Sequence, residues 1–161
     1  MLQTSYRTRG RVNLRRRSGV KRRAGLHAGD LPDPALTPGA VLTTDAAAVC
    51  TPGYAKSVRH VSGKVKAAVY REYGIAHHAS GEYEVDHLIS LELGGSNDIG
   101  NLWPQSYRTE PWNAHVKDKL EDRLHALVCA GKLSLPAAQK AIATDWIPVT
   151  STSLRRKPLS R

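Results

Sequence analysis

The residues best suited to chemistry lie in one short stretch, residues 84–104. Asp86 and His87 are adjacent there, a glycine pair follows, and Asn101 stands fourteen residues after His87. A histidine titrates near neutral pH and can take a proton from water, while a carboxylate offers the hard oxygen that Mg²⁺ or Mn²⁺ prefers. Together these groups could hydrolyse a phosphodiester, because that reaction needs a base for water and a cation near the phosphate.

A β-hairpin is predicted to position these residues. Apolar residues recur at every second position of the first strand, at Tyr83, Val85 and Ile89. His87 shares their inward face. The pair Gly94-Gly95 predicts a turn, after which Asn101 starts the return strand. Because neighbouring strand residues point to opposite faces, we expect Asp86 and His87 to have separate roles instead of binding one ion together.

Three helices are predicted around the hairpin, at residues 62–73, 112–130 and 134–146. The third is expected to end before Pro148. The second is amphipathic, and its apolar stripe is predicted to contain Val116, Leu120, Leu124, Leu127 and Val128, with Asn113 and Lys117 in the same arc. Strands in one local group and helices on either side of it indicate a small α+β domain.

The combination of Asp86-His87, the glycine pair and Asn101 resembles the signature of the HNH endonuclease family. This resemblance implies a ββα-metal (His-Me finger) fold, in which a helix crosses a hairpin, with additional flanking helices here. It also implies a metal-dependent endonuclease acting on DNA. By position, His87 matches the general base, Asp86 a metal ligand and Asn101 the asparagine that holds the loop of the histidine. One divalent ion, Mg²⁺ or Mn²⁺, is the implied cofactor.

The third position of the signature departs from the common pattern. Nine residues beyond Asn101, where many members carry a histidine, this chain has Glu110. Asn113 and His115 remain as candidates for the second metal ligand. Helix phase places Asn113 in the buried stripe and turns His115 toward solvent, so we favour Asn113, an H-N-N version of the motif. A subset of small HNH proteins shares the run formed here by Asn113, Lys117, Asp118 and Glu121.

Two more side chains could contribute to such a site. Lys117 lies one turn after Asn113 and could reach a phosphate oxygen, or it could extend beside the apolar stripe with its ammonium group in solvent. Glu84 shares a strand face with Asp86, where it could extend the metal site, pair with Lys117 or form only a surface salt bridge.

The positive charge of the chain is concentrated at its ends. The formal charge is +10, yet residues 30–154 contain 11 Lys/Arg and all 14 Asp/Glu. We therefore predict one domain over residues 31–150, a disordered basic arm over residues 1–30 and a basic tail over residues 151–161. Such arms favour nucleic acid as the partner, DNA first and RNA as the alternative. Whether the arm belongs to the native protein or reflects the choice of start site stays open.

The cysteines and the N-terminus bear on the cellular compartment. Cys50 and Cys129 could form a disulfide or remain free thiols, and the absence of a Cys-x-x-Cys pair excludes a zinc knuckle. No apolar segment resembles a secretory signal or a membrane span, which favours the cytoplasm, whereas a Cys50–Cys129 bond would be compatible with export.

The rival function is a catalytically inactive nucleic-acid-binding module of the same fold. No small-molecule cofactor and no membrane are expected as partners. Because no second domain is available to recognise base sequence, low sequence specificity is expected for either function.

Overall fold

The computed structural model describes residues 31–153, so the predicted basic arm at residues 1–30 and the end of the chain from residue 154 lie outside the described part. In chain order, the helices and strands are α1 (Ala46–Val49), α2 (Tyr54–Val58), α3 (Gly63–Glu72), β1 (Tyr83–His87), β2 (Leu102–Ser106), α4 (Ala114–Cys129) and α5 (Leu135–Ser153). The two strands form an antiparallel hairpin, and long helices follow it and pack against it. This architecture confirms the predicted α+β class.

The hairpin pairs His87 with Leu102 and Asp86 with Trp103. Its connection is longer than a tight turn, because it contains two 3₁₀ turns, Leu91–Leu93 and Ile99–Asn101. Asn101 therefore ends the second turn, and β2 begins one residue later than predicted.

The glycine pair lies inside this connection, where the backbone approaches itself closely. A Cβ added to Gly95 would lie 1.8 Å from the carbonyl oxygen of Ile89. No residue other than glycine fits there without movement of the backbone, since that distance is far inside van der Waals contact. Gly94 adopts a left-handed φ of 73°, which likewise favours glycine.

Helix α4 begins where the sequence predicts a helix and carries a buried stripe along one side. Asn113 caps it, its side-chain oxygen accepting a hydrogen bond from the Val116 N–H. The buried residues are Ala114, Lys117, Leu120, Leu124 and Val128. Val116 and Leu127 of the predicted stripe are only half-buried, and a lysine occupies the middle of the stripe instead.

The last helix consists of two helical segments, of which the sequence predicted only the first. The first segment ends at a break at Asp145, where φ is −169° and ψ is 98°, close to the predicted end at Trp146, and the second segment continues to Ser153. The Asp145 carboxylate accepts a hydrogen bond from the Ile147 N–H at 3.2 Å, as the cap of a second helical segment does. Pro148 then lies in the first turn of that segment, where its missing N–H is not needed. The predicted tail therefore begins inside a helix.

The main core lies between α4, α5 and the first 3₁₀ turn. Its buried members include Leu93, Leu120, Leu124, Ile142 and Trp146. A disulfide between Cys50 and Cys129, with Cα atoms 5.6 Å apart and a sequence separation of 79, joins the end of α1 to the end of α4. Closing a loop of this length stabilises the fold by about 4 kcal/mol on the chain-entropy estimate. Within residues 31–153, no helix is long and apolar enough to cross a membrane.

Candidate functional site

Asn101 fastens the loop that follows His87. The residue is fully buried, and its side-chain oxygen accepts hydrogen bonds from the Ile89 N–H at 3.0 Å and the Ala40 N–H at 3.3 Å. Its amide nitrogen donates to the carbonyls of Ile89 at 2.9 Å and Ser96 at 2.8 Å. All four partners are backbone groups, so Asn101 holds the shape of the loop and does not touch the His87 ring. That arrangement agrees with the loop-holding role expected for it.

Asn97 is the residue that contacts the His87 ring, and the sequence analysis missed it. Its Oδ1 lies 3.1 Å from His87 Nε2. The same oxygen accepts a hydrogen bond from the His60 N–H at 3.2 Å, and Nδ2 donates to the Val58 carbonyl at 2.8 Å. A backbone N–H can only donate and a carbonyl can only accept, so these two contacts fix which end of the Asn97 amide faces His87.

This orientation determines the tautomer of His87. Because Asn97 presents an oxygen, His87 Nε2 must carry the proton and donate it. The lone pair of the neutral ring is then on Nδ1, which is the atom left to accept a proton from water. The sequence did contain one signal: Asn97 follows the glycine pair by two residues, in a loop predicted to lie beside the histidine.

Burial favours the neutral form of His87. The residue is 2% exposed, and this burial lowers the pKa of the imidazole below its ordinary value. The hydrogen bond to Asn97 and the charge of Asp86 act in the opposite direction, and the charges of Arg59 and Lys117 add to the lowering. A neutral imidazole at neutral pH is the protonation state that a general base requires.

A buried ammonium group lies against Asp86. Lys117 Nζ donates to Asp86 Oδ2 at 2.6 Å, to the His87 carbonyl at 2.7 Å and to the Glu121 carboxylate. The Lys117 side chain has no exposed surface. Burial alone would lower the pKa of Lys117, but the Asp86 and Glu121 carboxylates raise it above the ordinary value. Lys117 therefore carries its charge inside the protein.

This placement differs from both expectations for Lys117. The ammonium group does not extend into solvent, and in this arrangement it presents no surface to a phosphate. It is the central cation of a three-oxygen cluster formed by two carboxylates and a backbone carbonyl. Sequence periodicity placed Lys117 in the buried arc but could not reveal that Glu121, one turn later, would share its charge.

Glu84 pairs with a tyrosine and not with Lys117. Its Oε2 accepts a hydrogen bond from the Tyr107 hydroxyl at 2.8 Å, and its Oε1 is buried without a hydrogen-bond partner. Burial raises the pKa of the Glu84 carboxyl. Burial also raises the pKa of Tyr107, with Glu84 adding to the effect, to about 12. Among residues 31–153 both ion pairs involve Lys117, and neither includes Glu84, so the pairing with Lys117 that was one of the alternatives for Glu84 is not formed.

The two candidates for the third motif position differ in solvent exposure, as predicted. Asn113 is 7% exposed, and besides capping α4 its amide nitrogen donates to Glu110 Oε1 at 3.2 Å. His115 is exposed, with its ring centroid 5.2 Å from that of Tyr107. No hydrogen bond within the described part joins Asn113 to Asp86, so the role of Asn113 as a metal ligand stays a prediction.

Asp86 is a donor of the kind that suits a hard divalent cation. Carboxylate oxygens are ligands that Mg²⁺ and Mn²⁺ accept, and Asp86 directs one of its two oxygens at Lys117. Around Lys117, the carboxylates of Asp86 and Glu121 and the carbonyl of His87 converge on a positive charge. Across residues 31–153, the one group of three or more His, Cys or acidic residues with ligand atoms within 4.8 Å of one another is Cys50, His125 and Cys129. Its cysteines are bonded to each other, so this group is not a magnesium site.

Comparison with known proteins adds no independent assignment. The chain matches no protein-family model, no curated protein and no solved structure. Any function proposed for it therefore depends on the contacts described above.

Proposed function

We propose that this protein is a metal-dependent endonuclease that hydrolyses phosphodiester bonds in DNA, with an HNH-type ββα-metal site formed by β1, β2 and α4. The observation that carries the proposal is the state of His87. Burial lowers the pKa of the ring, which favours its neutral form, Asn97 holds it in the tautomer whose lone pair is on Nδ1, and it is adjacent in sequence to the acidic Asp86.

In the proposed mechanism, His87 Nδ1 takes a proton from the water that attacks phosphorus. Asn97 holds the opposite nitrogen, so the ring keeps its direction as it becomes charged. Asn101 maintains the loop on which Asn97 lies. Asp86 and Asn113 are the residues that would hold Mg²⁺ or Mn²⁺, whose charge would stabilise the phosphate and the departing oxygen.

Metal-dependent nicking of supercoiled plasmid tests this proposal. Purified protein should convert supercoiled DNA to the open-circular form with Mg²⁺ or Mn²⁺ and should leave it intact with EDTA. Metal removal eliminates the charge stabilisation that phosphodiester hydrolysis needs, so EDTA should suppress nicking completely. Equal nicking with and without EDTA would contradict a metal-dependent mechanism.

One observation favours the rival function, a nucleic-acid-binding module without catalysis. Lys117 already supplies a positive charge to Asp86, so the carboxylate is satisfied without a metal ion. In that case the protein would retard DNA in a gel at low salt with or without EDTA and would cut it under neither condition. The plasmid assay and a gel shift on the same samples distinguish the two functions.

Replacing Asn97 with alanine should impair catalysis without loss of the fold. The variant removes the acceptor that keeps the proton on His87 Nε2, so the two tautomers should become mixed. We expect cleavage to fall roughly 10- to 100-fold, the usual effect of losing a partner that orients a functional histidine. ¹⁵N chemical shifts of the His87 ring measure the tautomer directly. Serine at position 97 is the matched control, because its hydroxyl can also accept a hydrogen bond. An unchanged tautomer in the alanine variant would contradict this role.

A further inference from the structure

The folded part of the chain separates its charges. The segment from Tyr54 to Ala79, here called the basic segment, contains α2 and α3 and carries Lys56, Arg59, Lys64, Lys66 and Arg71 against a single acid, Glu72. The rest of the described chain, residues 31–53 and 80–153, has six Lys/Arg and twelve Asp/Glu. The net charge of the described chain is mildly negative, but it is the sum of one strongly basic segment and an acidic remainder.

All five basic side chains of this segment are exposed. Both ion pairs of the described part are formed by Lys117, so none of the five has an acidic partner there. Lys64 and Arg71 lie seven residues apart on α3, which places them on one face of the helix about 10 Å from each other. Five exposed, unpaired cations in 26 residues form the charge pattern that binds a polyanion.

The basic segment is joined to His87 by direct contacts. Asn97, which holds the His87 ring, is itself bonded to the Val58 carbonyl and the His60 N–H on either side of Arg59. Arg59 is close enough to His87 that its charge lowers the pKa of the imidazole. Helix α3 packs against β2, the strand paired with the one that carries His87. Arg59 thus lies near the proposed base, and α3, which carries Lys64 and Arg71, begins four residues later in the chain.

Other acidic groups lie near Asp86, the proposed metal ligand. Asp86 points away from His87 along the strand and lies with Glu121 around Lys117. Asp118 and Glu84 are near enough to affect the same region, because Asp118 raises the pKa of Glu121 and Glu84 raises that of Tyr107. A strand of nucleic acid approaching from that side would meet negative charge, whereas an approach over α2 and α3 meets positive charge.

We propose that the phosphate backbone of the nucleic-acid substrate lies along the basic segment, with Arg59 contacting the phosphate nearest to His87. This inference rests on the proposed function only for the nature of the partner. The site would accept a phosphodiester backbone of any base sequence, because exposed Lys and Arg side chains contact phosphates without reading base edges. The basic segment would thereby set the direction in which the strand crosses the site.

The salt dependence of binding tests this surface. A labelled 20-base-pair DNA duplex is titrated with the full chain in EDTA, so that nothing is cut, and fluorescence anisotropy gives Kd at several NaCl concentrations. The variant carries R59Q, K64Q and R71Q. The slope of log Kd against log [NaCl] should fall by about 0.9 for each phosphate that the variant no longer neutralises. Near 100 mM salt the affinity should fall at least tenfold.

The matched control carries K119Q, K132Q and K140Q, three exposed lysines outside the basic segment. It loses the same net charge, so any difference between the two triple variants reports position and not total charge. We expect the control to keep a slope close to that of the unaltered protein.

Equal slopes for the two triple variants, whether both fall or neither does, would overturn the proposed path, and so would absence of DNA binding by the unaltered protein. The outcome is separate from that of the plasmid assay. If the basic segment binds DNA but no nicking occurs, the proposed endonuclease activity is wrong and the proposed binding surface stands. If nicking occurs and the two slopes are equal, the activity stands and the binding surface is wrong.

Discussion

Replacing His87 with alanine should abolish measurable plasmid nicking. General-base catalysis contributes about 10²- to 10⁴-fold, and Nδ1 of His87 is the proposed base. The variant should still bind the 20-base-pair duplex with nearly unaltered Kd, because the proposed phosphate contacts come from exposed Lys and Arg side chains and not from the ring of His87, which is 2% exposed. Nicking of supercoiled plasmid in Mg²⁺ and anisotropy in EDTA measure the two properties separately.

The matched control for this experiment is alanine at His115, an exposed histidine on α4. Nicking should be retained in that variant. Loss of nicking in the His115 variant would show that His115, and not Asn113, occupies the third motif position. If the His87 variant lost its circular-dichroism signal as well as its activity, His87 would be a structural residue and the proposed base would be wrong.

Replacing Lys117 with methionine should produce the largest loss of stability. Methionine keeps most of the volume but leaves the Asp86 and Glu121 carboxylates, each mostly buried, without their cation. Breaking a buried ion pair by removing one partner typically costs about 3–5 kcal/mol. Urea denaturation followed by circular dichroism, with the slope m checked for constancy, measures the change in the free energy of unfolding.

Methionine at Lys119 is the control, because this exposed lysine lies two residues away on the same helix and should change stability by less than about 0.5 kcal/mol. Adding E121Q to the Lys117 variant should recover part of the loss, since one uncompensated carboxylate disappears. A loss below about 1 kcal/mol for the single variant would show that Lys117 is not held as a buried charge.

The sequence predicted the elements of this fold where local patterns are strong. Alternation around Val85 marked the first strand, and apolar residues at helical spacing between Val116 and Val128 marked α4. The short helices α1 and α2 were not predicted, because they have four and five residues, which is too few for a periodic pattern of apolar residues. The second segment of α5 was not predicted, because a proline normally stops a helix, whereas Asp145 starts a new helical segment just before Pro148.

Only those site residues that belong to a local sequence pattern could be predicted. Asp86, His87 and Asn101 could be selected because their types and spacing resemble the HNH signature. Asn97 could not, because its role depends on where Val58 and His60 lie, and these are 39 and 37 residues away in sequence. The pairing of Lys117 with Asp86 spans 31 residues and depends on how α4 lies against β1. Contacts of this kind are set by tertiary packing and not by local pattern.

The disulfide has a consequence for the integrity of the site. All residues of the candidate site lie between Cys50 and Cys129 in sequence, inside the loop of chain that the disulfide closes. They are Asp86, His87, Asn97, Asn101, Asn113, Lys117 and Glu121. A protease that cut the backbone once anywhere in that loop would leave the two pieces covalently joined. Each piece would then face the other at a high effective concentration instead of diffusing away. The disulfide therefore makes the two halves of the site one covalent unit, even after a single break in the peptide chain.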